Sequence, residues 1–324
     1  MGGLDMKYVA SAVAIVAATV ALSSAAIAQD KPAIAFVVNG PSDFWKLAEA
    51  GVQAAQAELP DVELQFRYPE RADAAVQQRV VDDLIAAGVD ALAVSVVDPA
   101  TSTDPINKAA AAVPYFTFDS DAPQSNRIAY FGSSNVELGK NAGELMKKAM
   151  PNGGKCIGFV GLPGAANAME RIQGYNEAVA GTGLELIDVR GDDIDQTRAR
   201  ANVDDVLVAN PDVNCMVGFY SYNPPRIYEA LRDAGKLGSI TVVGFDEDPI
   251  TLGAVKEGSF AGTVVQQPYE WGYQGSKLIA NYLAGDKSGV PADGIIIIPG
   301  LSITTENVDQ FQSDLQAKLS KLGG

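Results

Sequence analysis

The chain has 324 residues, with 24 Lys and Arg against 40 Asp and Glu, no histidine, and a formal net charge of −16. So acidic a surface repels nucleic acid and anionic lipid, which need basic footprints. The lack of histidine removes Ser-His-Asp and Cys-His catalysis, His-ligated zinc and the usual pH switch.

The first element in chain order is an export signal over residues 1–28. Met6-Lys7 is a short basic start, Val9 to Leu22 an apolar run, and Ala26-Ile27-Ala28 a small-x-small cleavage site. The run is shorter than the roughly 20 residues that span a bilayer. No later segment comes near that length, so the mature chain is expected to cross no membrane. No cysteine follows the cleavage site, which argues against a lipid anchor there. The protein is therefore expected to work in a bacterial periplasm, and its mature length suits two domains of roughly 150 residues.

The mature sequence alternates short, continuously apolar strands with amphipathic helices. A strand at Ile34–Val38 is followed by a helix near residues 43–58 and a strand at Val62–Phe66. A helix over 72–87 carries Val76, Val80 and Leu84 on one face and ends at Gly88, a left-handed cap. Strand Ala91–Ser95, a helix near 105–112 and strand Tyr115–Phe118 complete the first run. The pattern restarts at Cys156–Val160. Helix 165–180, strand 184–189, helix 196–209, strand 213–219, helix 224–234 and strand 240–243 follow, then strand 261–265, helix 269–283 and strand 295–298. Continuous apolar strands separated by helices indicate parallel sheets covered on both faces. The fold class is α/β, with two doubly wound parallel-sheet lobes.

Ligands of such sheets bind at the strand C-terminal edge, and the polar residues fall there. The strand ends carry Asn39 with Phe44-Trp45, Ser95, Asp119 with Asp121, Leu162, Tyr220 to Asn223, Asp246-Glu247 and Gln266. Any one of these alone is as well explained as a turn or cap residue; as a set converging from two lobes they describe a site. Carboxylates and amides suit hydroxyls, which both donate and accept hydrogen bonds. Aromatic rings cover the C–H faces of a sugar. Arg171 offers a fork of donors, or else pairs with Glu170 on the surface.

Together these residues resemble the periplasmic sugar-binding proteins of the ribose-binding type, which feed ATP-driven importers. The resemblance runs from about Ile34 to Val308. It is carried by Gly88 to Ser95 with Asp98, Pro114 to Asp119, Gly132-Ser-Ser-Asn135, Glu170-Arg171, Val242 to Asp246 and Gly262 to Gln266. It implies a type I periplasmic binding protein whose lobes are joined by a three-segment hinge, crossing near residues 121–135, 247–267 and 287–300. The lobes would be residues 29–133 plus 267–297 and residues 134–266 plus 298–324. It places ligand contacts at Asn39, Phe44, Trp45, Ser95, Asp119, Ser133, Leu162, Arg171, Asp246 and Gln266, with an amide near Asn223. It also implies hinge closure over the ligand, a membrane permease as partner, and a monomer.

Three departures bear on the ligand. Ser120 stands where the pattern has arginine, the first loop is one residue shorter with Ser42 in place of an asparagine, and Phe44-Trp45 is bulkier than two phenylalanines. These argue against assuming ribose. With one arginine left, a sugar phosphate is disfavoured and a neutral sugar or polyol expected.

The remaining function classes are weaker. An acid pair such as Asp119 and Asp121 matches glycoside chemistry in residue type only: two acids closing on one turn are poorly placed to flank a scissile bond. The sequence has no phosphate loop and no dinucleotide glycine fingerprint, so no cofactor is expected. A repressor would need a helix-turn-helix before Ile34, where the export signal stands. A sensory role in chemotaxis is compatible with the transport reading. The two cysteines, Cys156 and Cys215, are too few for a four-thiolate zinc site. In the usual strand order they start neighbouring strands, and in an oxidising compartment they are either bridged or two separate buried thiols.

Overall fold

The computed structural model describes residues 31–320; the expected export signal, residues 1–28, lies outside the described residues. In chain order the first elements are β1 (Ala33–Val37), α1 (Trp45–Glu58), β2 (Glu63–Arg67), α2 (Ala74–Ala86), β3 (Ala91–Val94), α3 (Thr103–Ala110), β4 (Tyr115–Phe118) and β5 (Tyr130–Gly132). Then come α4 (Asn135–Ala149), β6 (Gly154–Val160), α5 (Ala166–Val179), β7 (Leu184–Gly191), α6 (Gln196–Ala209), β8 (Cys215–Gly218), α7 (Asn223–Asp233), β9 (Thr241–Phe245), α8 (Pro249–Lys256) and β10 (Gly262–Val265). The last are α9 (Pro268–Leu283), β11 (Ile295–Ile297), β12 (Leu301–Ile303) and α10 (Val308–Leu319).

Among the described residues the strands form two six-stranded sheets, β2-β1-β3-β4-β5-β11 and β7-β6-β8-β9-β10-β12. Every pairing is parallel except β10 with β12. The first five strands of each sheet repeat the same winding, so β4 and β9 hold equivalent places. The backbone passes between the sheets at Ser133-Ser134, at Gln266-Gln267 and at residues 298–300. This is the two-lobe, three-segment architecture.

The period of two along each strand builds two apolar layers per sheet. Ile34, Phe36 and Val38 pack on one face with Trp45 and Trp271, while Ala35 and Val37 pack on the other with Val81, Leu84 and Leu92. In the second sheet Ile157, Phe159 and Met216 face one core, and Cys156, Cys215 and Val217 the other. Cys156 and Cys215 are register partners on adjacent strands and are disulfide-bonded, with Cα atoms 4.4 Å apart. The bridge lies at the strand starts, remote from the C-terminal edge.

In the second lobe α4 and α5 cross closely through two glycines. A Cβ on Gly139 of α4 would lie 2.0 Å from the Arg171 carbonyl oxygen, and one on Gly174 of α5 would lie 1.9 Å from that of Val136. Only residues without a Cβ let these backbones meet. The contact seats α5, and Arg171 with it, directly against the helix that follows the first lobe crossing.

β5, α4, α8, β12 and α10 are absent from the sequence reading. β5 and β12 have three residues each, too few for a periodic signal. α4 does carry one: Ser134 caps it by accepting from the Glu137 amide, and Leu138, Ala142, Leu145 and Met146 form its buried stripe. α10 touches both lobes. Asp309 pairs with Lys256 of α8 at 2.6 Å, and Lys318 reaches Glu270 of α9 at 3.5 Å. Among the described residues no helix is long and apolar enough to cross a membrane.

Candidate ligand-binding site

Two aspartates stand at equivalent strand ends. Asp119 follows β4 and Asp246 follows β9, and both hold a left-handed backbone, φ 58° and 64°. Non-glycine residues seldom adopt this conformation, aspartate more readily than most, and it concentrates at functional sites. The surroundings enforce it. The Asp119 amide donates to the Phe131 carbonyl (3.2 Å) and the Asp246 amide to that of Val264 (2.8 Å). The Asp246 carbonyl accepts from Thr263 Oγ1 at 2.9 Å.

The carboxylates are tuned by their neighbours. Ser95 Oγ donates to Asp119 Oδ2 at 2.7 Å. Burial pushes the Asp119 carboxyl up to about 6 and the nearby Asp246 charge adds to the rise, while the Ser95 bond and the Arg171 charge oppose it. Asp246 is 6% exposed. Its carboxyl is also raised, by burial first, against Arg171 and the Gln266 amide, which donates to Oδ1 at 3.4 Å. Asp119 from one lobe therefore shares an electrostatic neighbourhood with Arg171 and Asp246 from the other.

Arg171 is 5% exposed. Its Nε donates to Asn135 Oδ1 (3.0 Å) and its Nη1 to the Phe219 carbonyl (2.6 Å), with Cζ 4.8 Å from the Phe245 ring centroid. It forms no ion pair with Glu170, and Nη2 has no hydrogen-bond partner among the described residues. Glu247, beside Asp246, has a buried Oε2 without a hydrogen-bond partner among the described residues. Burial and then the Asp246 charge push its carboxyl up to about 8.

The other expected contacts are placed variously. Phe44 is half-buried, its ring 5.0 Å from Trp45 and 6.0 Å from Trp271. Trp45 is 2% exposed and packs edge-on against Phe118 within the first core. Asn39 is half-buried at the end of β1, and Leu162 is 41% exposed beyond β6. Ser133 lies in the first crossing, where its hydroxyl donates to the Ile298 carbonyl at 3.2 Å. Asn223 is committed to the protein at both ends: Oδ1 accepts from the Tyr220 amide (3.0 Å) and Nδ2 donates to Asp192 Oδ2 (2.8 Å). Asp192 is fully buried and also accepts from the Tyr222 hydroxyl at 2.5 Å. Asn135 and Asp192, which bond to the candidate contacts Arg171 and Asn223, and Glu247, which adjoins Asp246, are not singled out as contacts by the sequence. Asp192 has the same signal as the others, a polar residue just beyond a strand.

Asp121 is elsewhere engaged. Arg127 donates from Nε to Oδ1 (2.5 Å) and from Nη2 to Oδ2 (2.7 Å), and Thr117 donates to Oδ1. It is a structural ion pair, leaving Asp119 without an acid partner on its own turn. Among the described residues no three His, Cys, Asp or Glu side chains gather as metal ligands.

Residues 34–287 match the model of the periplasmic binding protein domain. The chain belongs to the periplasmic binding protein domain family. Among curated members it is 31% identical over 208 residues to the ribose import binding protein RbsB of Salmonella typhimurium, covering 64% of this chain and 70% of that protein. Among solved structures it is similar to GanP, a glucose-galactose binding protein from Geobacillus stearothermophilus, with 27% identity and a TM-score of 0.78 over 86% of this chain and 99% of GanP. The same TM-score and identity relate it to a Burkholderia graminis ABC transporter solute-binding protein in complex with D-arabinose, covering 86% and 96% of the two chains.

Proposed function

We propose that the protein is the solute-binding component of an ABC importer and binds a neutral sugar or polyol between its lobes. The observation that carries this reading is that Asp119 and Asp246, at equivalent strand ends of opposite lobes, and Arg171 of α5 lie close enough to act on one another's charge. It is supported by relatives named for ribose, arabinose and glucose-galactose binding. Asp119, Asp246, Arg171, Ser95 and Gln266 would take the hydroxyls, Phe44 an apolar ring face, and Asn39, Trp45, Ser133, Leu162 and Asn223 would shape the wall around them. The lobes, residues 29–133 plus 267–297 and 134–266 plus 298–324, close about the three crossings. The ligand drives closure only by binding the closed state more tightly. Closure presents a surface to a membrane permease outside the cytoplasm, after removal of the export signal, and the sugar leaves chemically unchanged. Thermal-shift screening against a panel of sugars and polyols tests this. One or more should raise the melting temperature. A panel-wide failure alongside a positive response to amino acids or peptides would refute it.

A further inference from the structure

The residues joining the two lobes also touch Asp119 of one lobe and Arg171 of the other. Tyr130, at the end of the first lobe, directs its hydroxyl at two carbonyl oxygens, those of Asp119 and Ser133, each at 3.0 Å. A phenol has one proton, so these two acceptors share it. The hydroxyl reaches this place because Gly132 has no side chain: a Cβ there would lie 2.2 Å from it. Ser133 is tied in turn to the third crossing through Ile298. Two residues on, Asn135 opens α4 and accepts from Arg171 Nε.

A guanidinium held at one nitrogen still swivels about that bond. Two bonds from different edges of its plane, with the Phe245 ring below, fix the plane and the direction of the remaining donors. Asn135 supplies one of the two. Its own position is set by the crossing that precedes it and by the close contact of Gly139 with Arg171.

We propose that Tyr130 and Asn135 are positioning residues, through which the first lobe crossing holds Asp119 and Arg171 in register across the cleft. The inference rests on the reading of the cleft as a sugar site. Rotation about Ser133-Ser134 carries Asn135 with one lobe and Tyr130 with the other, so closing geometry and ligand-group geometry are set by the same few residues.

Calorimetry tests it with the tightest-binding member of a panel of D-ribose, D-arabinose, D-xylose, D-allose, D-galactose, D-glucose and myo-inositol. Asn135→Ala should lower affinity about tenfold with little change in melting temperature. Asn135→Asp keeps the acceptor and should stay within about threefold of wild type. In an Arg171→Lys background, Asn135→Ala should add almost nothing, because its effect passes through Arg171. Tyr130→Phe should also lower affinity about tenfold. Unchanged affinity in Asn135→Ala and Tyr130→Phe, or an Asn135→Ala penalty that persists in the Arg171→Lys background, would overturn the proposal. A ligand-free arm separates this from the sugar reading: hydrogen exchange at Arg171 Nε–H by NMR, assigned by its loss in Arg171→Lys. If no sugar binds, the sugar reading fails. Fast exchange in Asn135→Ala with protection in wild type and Asn135→Asp still supports the positioning role; equal protection in all three refutes it.

Discussion

Asp246→Asn separates binding from stability. The side chain keeps its volume, and asparagine tolerates the left-handed backbone that Asp246 occupies at φ 64°. What changes is charge. A hydrogen bond to a carboxylate contributes about 1.5–3 kcal/mol and one to a neutral acceptor about 0.5–1.5, so each ligand hydroxyl held by Asp246 loses about 1 kcal/mol or slightly more. One or two such bonds correspond to a roughly 5–50-fold weaker ligand. The unliganded protein should move the other way. Burial raises the Asp246 carboxyl above its usual range, so the fold carries a cost for ionising it at neutral pH, and the neutral amide relieves that cost. The paired result, an equal or higher melting temperature with weaker binding, is measured by thermal denaturation and calorimetry on one preparation. Affinity within threefold of wild type would remove Asp246 from the site. A fall in melting temperature of several degrees would show that its charge is structural.

Asp119 makes stability depend on pH. Its folded value of about 6 lies above the unfolded 3.8, so the native state binds the proton more tightly; stability is greatest below about pH 4 for this group and falls as pH rises to about 6. The change is at most about 3 kcal/mol, and urea titrations from pH 4 to 7 should show that slope flattened in Asp119→Asn. Replacing both Cys156 and Cys215 by alanine should cost about 2–5 kcal/mol in denaturant titration. Ligand affinity should be unchanged, because the bridge lies at the strand starts; a large loss of affinity would contradict that placement. Gly139→Ala forces a methyl to within 2.0 Å of the Arg171 carbonyl oxygen. Helices α4 and α5 must part, so it should lose about 1–3 kcal/mol of stability and weaken binding through Arg171, whereas Gly181→Ala, where nothing lies within 4 Å, should leave affinity untouched despite its strained φ.

The winding of both sheets is legible in the sequence because its signal is local. Ile34–Val38, Ala91–Val94 and Val242–Phe245 are apolar throughout, the usual pattern of a strand buried on both faces. The placement of Asp119, Asp246 and Gln266 is legible too, since a polar residue directly after such a strand must sit at the sheet edge. α4 announces itself through Ser134, Glu137 and its apolar stripe, a signal that a strand-led reading skips; β5 and β12 are too short to carry one.

Composition, period and strand-end chemistry therefore determined the two doubly wound lobes and the edge on which a ligand site would stand. The tertiary structure alone decided which polar groups are free to meet a ligand. Asn223 is spent on Tyr220 and Asp192, Asp121 on Arg127, and Trp45 on the first core, while Arg171 is aimed by Asn135, 36 residues away in the chain. Those allocations depend on hydrogen bonds and close helix contacts between segments far apart in sequence, whose meeting is set by how the chain crosses between its sheets and by no pattern that any one segment carries.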